Sequence, residues 1–385
     1  MTEERSDPDI RLPEISSDLP SGTDPSREGA GTGFDPLVQT VKTEGAAVKT
    51  VNLALQGGGA HGAFSWGVLD RLLEDERLEF EGISGTSAGA MNAVVLAQGW
   101  LRGGRDGARQ ALDTFWRRIS DYSAFNPVQQ TPFDRLMGNW NFDNSPAYLF
   151  YDTLARVLSP YQFNPLNWNP LRTVLSEILD FDTLRATQEF QIFVSATNVQ
   201  TGKIRVFERH ELTLDAMLAS ACLPNVFQAV EIDGQPYWDG GYMGNPPLFP
   251  LIYACQSQDV LIVQTDPLYR EGVPRSTGEI MNRINEITFN SSLQRELRAI
   301  GFVQRLIEDQ MLRGEHVNRL KRMHLHMVES EQTMEALGAS SRVNTNPDFL
   351  QLLKEAGRRQ AELWLATHFD AVGTRTSIDI HGIIQ

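Results

Sequence analysis

Two short apolar runs, each ending in a glycine-rich turn and each followed by a helical pattern, restrict this chain to a narrow set of folds. The first, Val51-Asn52-Leu53-Ala54-Leu55, leads into Gly57-Gly58-Gly59-Ala60-His61-Gly62. Over residues 63–73, Phe64, Val68, Leu69 and Leu72 then recur at a helical period. The second, residues 80–83, leads into Gly85-Thr86-Ser87-Ala88-Gly89, and residues 88–101 read as a buried helix of small and apolar side chains. Strand, tight turn and helix repeated at this spacing build βαβ units, so an α/β fold with a mostly parallel, helix-covered sheet is expected. Residues 190–196, 260–265 and 323–328 are further strand candidates, and 203–207 a hairpin arm. Residues 214–220 and 347–369 read as helices.

Residues 1–49 carry twice as many acids as bases and are rich in Pro, Ser, Gly and Thr, the composition of a disordered acidic tail. The core is expected over 50–268, with an aromatic-rich insertion at 104–172. Trp116, Phe133, Trp140, Phe142, Tyr148, Phe150 and Trp168 suit either a lid over acyl chains or the core of an inserted helical subdomain. From 269 to 385 the apolar spacing, as at Ile280, Ile284, Leu297 and Ile300, is that of a mainly helical extension. A net charge of −15 excludes a nucleic-acid partner, which would need a basic surface. Two cysteines, Cys222 and Cys255, make no disulfide framework. The acidic Met1–Arg11 segment is unlike a signal peptide, and no run approaches the ~18 apolar residues of a membrane span. The expected setting is cytoplasmic, with peripheral contact to a membrane interface as a further expectation.

The loop from Gly57 to Gly62 satisfies G-x-G-x-x-G, and it admits two uses. It could cradle a pyrophosphate, but a dinucleotide site wants an acid at the end of the second strand, where this chain has Ser84-Gly85-Thr86-Ser87. Alternatively, backbone amides converging at a helix N-terminus could stabilise the oxyanion of an acyl-transfer intermediate. The G-x-S-x-G at Gly85–Gly89 lies between a strand and a helix, the context in which such a turn lifts a nucleophilic serine, Ser87, clear of the sheet. Ser87 needs a proton acceptor. His210, His316, His324 and His326 lie downstream without distinctive context, and His61 sits within the glycine loop. Asp239, in Tyr237-Trp238-Asp239-Gly240-Gly241, is the better candidate, because aromatic neighbours could desolvate it and glycines leave it approachable.

Taken in this order, the glycine loop, the serine turn and Asp239-Gly240-Gly241 resemble the patatin-like phospholipase family over residues 51–253. Ser195-Ala196-Thr197-Asn198 with Thr201-Gly202, and Ala219 to Pro224, look like further family segments. The resemblance implies a three-layer α/β/α core and a Ser–Asp dyad without histidine. Ser87 would be the nucleophile, Asp239 the general base, and the amides of Gly57, Gly58 and Gly59 the oxyanion hole. Gly62, Gly85, Gly89, Gly240 and Gly241 would support those motifs. It also implies hydrolysis of lipid acyl esters through an acyl-enzyme, with no metal and no cofactor. Acyl transfer by the same dyad, and a nucleotide-binding or scaffolding role, are the alternatives. Many members carry Arg or Lys where this chain has His61, which leaves preference for anionic head groups open.

Overall fold

A computed structural model describes residues 48–122, 128–131, 134, 137–143, 145–311 and 320–384. Residues 1–47 of the expected acidic tail, together with Phe133 and His316, lie outside the described residues. The apolar runs form the strands β1 (Lys49–Leu55), β2 (Leu78–Gly85), β3 (Gln191–Asn198), β4 (Ile204–Glu208), β7 (Asp259–Val263) and β8 (His324–Val328). Two short strands, β5 (Val230–Ile232) and β6 (Gln235–Asp239), join them. The sheet runs β5-β6-β3-β2-β1-β7-β8, with β4 also on β3. Pairings from β3 through β2, β1 and β7 to β8 are parallel, and those of β3 with β4 and β6 are antiparallel.

Side chains alternate across a strand, so the parallel strands other than β2 feed two cores. Leu53, Leu55, Ile83, Ile192, Val194, Leu261 and Val263 point into one, against helices α1 (Gly62–Leu72) and α2 (Ala88–Asp121). Ala54, Phe193, Val260 and Ile262 point into the other. These burials, at ~1.5–3 kcal/mol for each large apolar side chain, make a slip of register by one residue prohibitive. The result is the expected α/β architecture, a mostly parallel sheet with helices on both faces.

Helix α2 bends at Gly103–Gly104, where Gly104 has φ +59°, and continues past the glycine pair at which the sequence pattern stops. Its second half buries Leu112, Phe115 and Trp116. Between α2 and β3 lie α3 (Pro146–Val157), α4 (Pro160–Phe163), α5 (Pro170–Ile178) and α6 (Phe181–Ala186), and α7 (Leu214–Ser220) and α8 (Phe249–Ala254) follow β3. Of the aromatics named in this region, some are buried and some exposed. Trp116 and Phe142 are core, Trp140 stacks on Phe349, and Phe150 and Trp168 are exposed. The C-terminal region is helical apart from β8, with α9 (Thr277–Glu308), α10 (Glu331–Glu335), α11 (Pro347–His368) and α12 (Ile380–Ile384). Leu293, Leu297 and Ile300 of α9 fill the second core. Helix α11 packs so closely on α1 that a Cβ at Gly67 or Gly357 would strike the backbone of the facing helix. No helix among the described residues is long and apolar enough to cross a membrane.

Candidate active site

The register of the sheet brings the two main candidates together. Gly85, the last residue of β2, pairs with Val194, and two residues further along β3 Ala196 pairs with Asp239. Ser87 lies the same two residues beyond Gly85, so both candidate side chains emerge at the carboxyl end of the parallel strands, where open α/β sheets place their sites.

Ser87 is partly exposed and holds φ 53°, ψ −122°, a conformation that costs a non-glycine residue on the order of 1–3 kcal/mol. The surroundings enforce it. The Thr86 hydroxyl donates to the Gly244 carbonyl at 2.6 Å, and the Ser87 N–H donates to Ser220 Oγ at 2.9 Å. A Cβ on Gly85 would meet Gly89 backbone atoms at 2.6 Å, so the bend closes only with glycine there.

The glycine loop lies against this turn. A Cβ on Gly57 would come within 2.8 Å of Ser87 Cβ. Gln56 anchors the loop, its Oε1 accepting from the Thr265 and Asp266 amides and its Nε2 donating to Asn290 Oδ1 at 2.8 Å. Of the three glycine amides expected at an oxyanion hole, that of Gly57 is already engaged, donating to Asn245 Oδ1 at 2.7 Å. Gly58 and Gly59 remain, their amides meeting no acceptor among the described residues. Gly59 is exposed, with φ +60°.

Asp239 ends β6 and is 1% exposed. Its Oδ1 accepts the Gly241 N–H at 2.7 Å, and its own N–H donates to the Cys222 carbonyl at 2.8 Å. Burial pushes its pKa up to about 7, opposed by hydrogen bonding from Gly241 and the Ser87 side chain and by the Arg342 charge. Oδ2 is buried without a fully formed hydrogen bond. Gly240 and Gly241 are required by packing, since a Cβ on either would strike Ser195 or the Phe289 ring.

No described histidine hydrogen-bonds to Ser87 or Asp239. His61 is buried, shares a 2.8 Å hydrogen bond with Ser341 Oγ, and is held neutral, its pKa lowered to about 3 by burial and then by Arg342 and Arg270. His210 lies 3.6 Å from Glu208 on the surface. His324 and His326 surround Asp259 at the opposite, amino end of the parallel strands. An open groove of about 660 Å³ at that end, lined by residues including Thr50, Asp259 and His324, contains neither Ser87 nor Asp239.

Two contributors carry no motif. Asn245 buttresses Gly57 from an Asn-Pro-Pro run that reads as a chain breaker. Arg342, from the turn Ala339–Val343, lies over the glycine loop, where a Cβ on Gly59 would meet its carbonyl at 2.5 Å. Asp266 holds its guanidinium at 2.7 Å, and its charge acts on both His61 and Asp239. Arg342 thus brings a cation to the loop where His61 is neutral.

A family model described as patatin-like phospholipase matches residues 53–252, just over half of the chain. Among solved structures, VipD from Legionella pneumophila is similar at 17% identity, over 84% of this chain and 68% of that one, with a TM-score of 0.39. The ExoU–SpcU complex from the type III secretion system of Pseudomonas aeruginosa is similar at 18% identity over 83% of this chain, with a TM-score of 0.35. The match covers 52% of that second chain. No curated protein matches.

Proposed function

The chain belongs to the patatin-like phospholipase family, which makes it a lipid hydrolase, and on that premise we propose that it cleaves carboxylic esters of lipids through an acyl-enzyme on Ser87 with Asp239 as the base. The observation that carries this reading is the placement of a strained, partly exposed serine and a buried carboxylate at the ends of the two strands that flank β3, beside two amides that meet no acceptor among the described residues.

In the proposed cycle, Asp239 Oδ2 takes the hydroxyl proton as Ser87 Oγ attacks the ester carbonyl carbon. The oxyanion forms against the Gly58 and Gly59 amides, donors of a kind worth ~10²–10³ in rate each. Collapse breaks the ester C–O bond, and the departing alcohol receives the proton from Asp239. Water then attacks the acyl-serine, giving its proton to Asp239, and the fatty acid leaves as Ser87 is restored. A carboxylate with a pKa of about 7 is a far stronger base than one near 4, and it is still ionised in half the molecules at neutral pH. Arg342 keeps that pKa from rising further.

A fluorophosphonate probe is expected to label the protein at Ser87 and to leave the Ser87→Ala variant unlabelled. Asp239→Asn is expected to lose at least ~10³-fold in kcat on a lipid ester panel while keeping its fold. Equal turnover by Ser87→Ala and the parent would remove the assignment. Near-parent turnover by Asp239→Asn would move the role of base to another group.

A further inference from the structure

In a chain of net charge −15, residues 157–171 contain no charged side chain, and neither do residues 216–230. The fold joins these two fifteen-residue runs. Gln228 Nε2 donates to the Asn164 carbonyl at 3.0 Å, and the Ala229 N–H donates to Tyr161 Oη at 3.3 Å. The second run also reaches the candidate site, where Ser220 Oγ holds the Ser87 amide and the Cys222 carbonyl holds that of Asp239. These contacts link the turn at Ser87 to the loop of the first run through residues that carry no charge.

The tip of that loop is apolar and exposed, and hydrogen bonds close it. Leu166 is 91% exposed, Val157 74%, Trp168 66% and Tyr161 60%. Asn164 clamps the loop from within, its Oδ1 accepting the Trp168 N–H at 2.9 Å and its Nδ2 donating to the Trp168 carbonyl at 3.0 Å. The Asn167 N–H returns to the Asn164 carbonyl at 2.9 Å. A loop stapled in this way does not fold Leu166 back under cover. The charges that bracket the run are neutralised locally, Arg156 by Asp152 and Arg172 by Asp215, each at 2.8 Å.

We propose that the joined runs form a preformed platform for the surface of a zwitterionic phospholipid bilayer, with Leu166 and Trp168 entering the interface. The proposal rests on the lipid-hydrolase reading and adds the surface on which that enzyme works. Charge selects the occupant. An acidic protein is repelled by anionic membranes, and the approach that costs least is through a face without charge. Trp and Tyr, apolar with one polar atom each, suit the headgroup boundary, and Leu suits the acyl region below it.

The test uses the full chain carrying Ser87→Ala, so that binding is read without turnover, and measures co-sedimentation with phosphatidylcholine vesicles. Binding is expected, and it should differ less than about twofold between roughly 0.1 and 0.5 M NaCl, because no charge pairs would be screened. Leu166→Asp and Trp168→Asp should each lower the partition coefficient at least about tenfold, the loss expected when a large apolar side chain no longer leaves water. Leu363→Asp, at an exposed apolar position on α11, should leave binding unchanged. Should Leu166→Asp lack a cooperative unfolding transition, Leu166→Asn takes its place with the same expectation.

Unchanged binding by the Leu166 and Trp168 variants would overturn the platform, as would binding confined to anionic vesicles and released by salt. A chain that ignores vesicles but dimerises through Leu166 would also overturn it, with a second copy as the occupant. Vesicle binding by a protein that cleaves no lipid would instead overturn the enzyme reading alone.

Discussion

The backbone N–H of Gly57 donates to Asn245 Oδ1 at 2.7 Å, tying the loop after β1 to the segment that follows the Asp-Gly-Gly turn. Both groups are buried, so the loop's position depends on this bond. Asn245→Ala leaves the amide without a partner at a cost of ~1–3 kcal/mol, to be read as a lower thermal midpoint. It should also lower kcat about tenfold or more, because the neighbouring amides of Gly58 and Gly59 shift from the carbonyl they are proposed to serve. Lost stability with unchanged kcat would show that the loop holds its shape without Asn245.

The backbone at Ser87 gives stability and activity opposite signs. Glycine adopts φ 53°, ψ −122° without strain, so Ser87→Gly should unfold at a higher temperature than the parent, by up to the ~1–3 kcal/mol stored there. The same variant should show no esterase turnover. A lower midpoint for Ser87→Gly would mean that the side chain contributes more through packing than the turn costs.

The elevated pKa of Asp239 fixes the sign of two pH effects. The proposed cycle needs the ionised carboxylate, so kcat/KM on a neutral ester should rise through pH 7 and level off above it. Stability runs the other way. The folded pKa, about 7, exceeds the usual carboxylate value of 3.8, so the folded state holds the proton more tightly. The stability linked to that proton is fully present below pH ~4 and is lost as pH rises through about 7. Asp239→Asn, which stays neutral, should gain on the parent between pH 5 and pH 8 by up to a few kcal/mol, measured by denaturant unfolding at each pH. A pH-independent difference between the two proteins would contradict the burial argument.

Arg342 lowers the pKa of Asp239, so removing its charge should move the acid limb of the rate profile to higher pH. Arg342→Met alone would strand the buried Asp266 carboxylate, at a cost of ~3–5 kcal/mol. The comparison is therefore made with Arg342→Met/Asp266→Asn. Its acid limb should lie above the parent's, and an unmoved limb would show that the guanidinium does not reach the carboxyl electrostatically.

Legibility in the sequence followed distance along the chain. Strands β1, β3 and β7 were readable because their buried stretches are short apolar runs, and β2 and β8 because apolar residues recur in them between turn signals. The bend at Ser87 was readable because all its steric requirements fall within five residues, Gly85 to Gly89. Strand β6 was not, since Gln235-Pro236 opens it with the marks of a turn, and it forms only by pairing with β3. The second half of α2 was hidden by Gly103–Gly104, a pair that ends most helices and here only bends one. Asn245 and Arg342 were illegible for another reason. Their roles come from returning to the glycine loop from 188 and more than 270 residues away, and no local pattern encodes a return. The same return occupied the Gly57 amide, which the loop sequence alone leaves indistinguishable from its neighbours.

Strand β8 and helix α11 carry no recognisable motif, yet one pairs along the whole of β7 and the other lies backbone to backbone on the helix that follows the glycine loop. The recognisable half of this molecule is therefore not a portable module. A fragment cut after residue 252 would keep every motif of the family match and lose β7, β8, α9 and α11, which complete its sheet and its two cores. Its central strand would become a bare edge, open to pairing with other chains, so aggregation rather than weak catalysis is the fate of a shortened version.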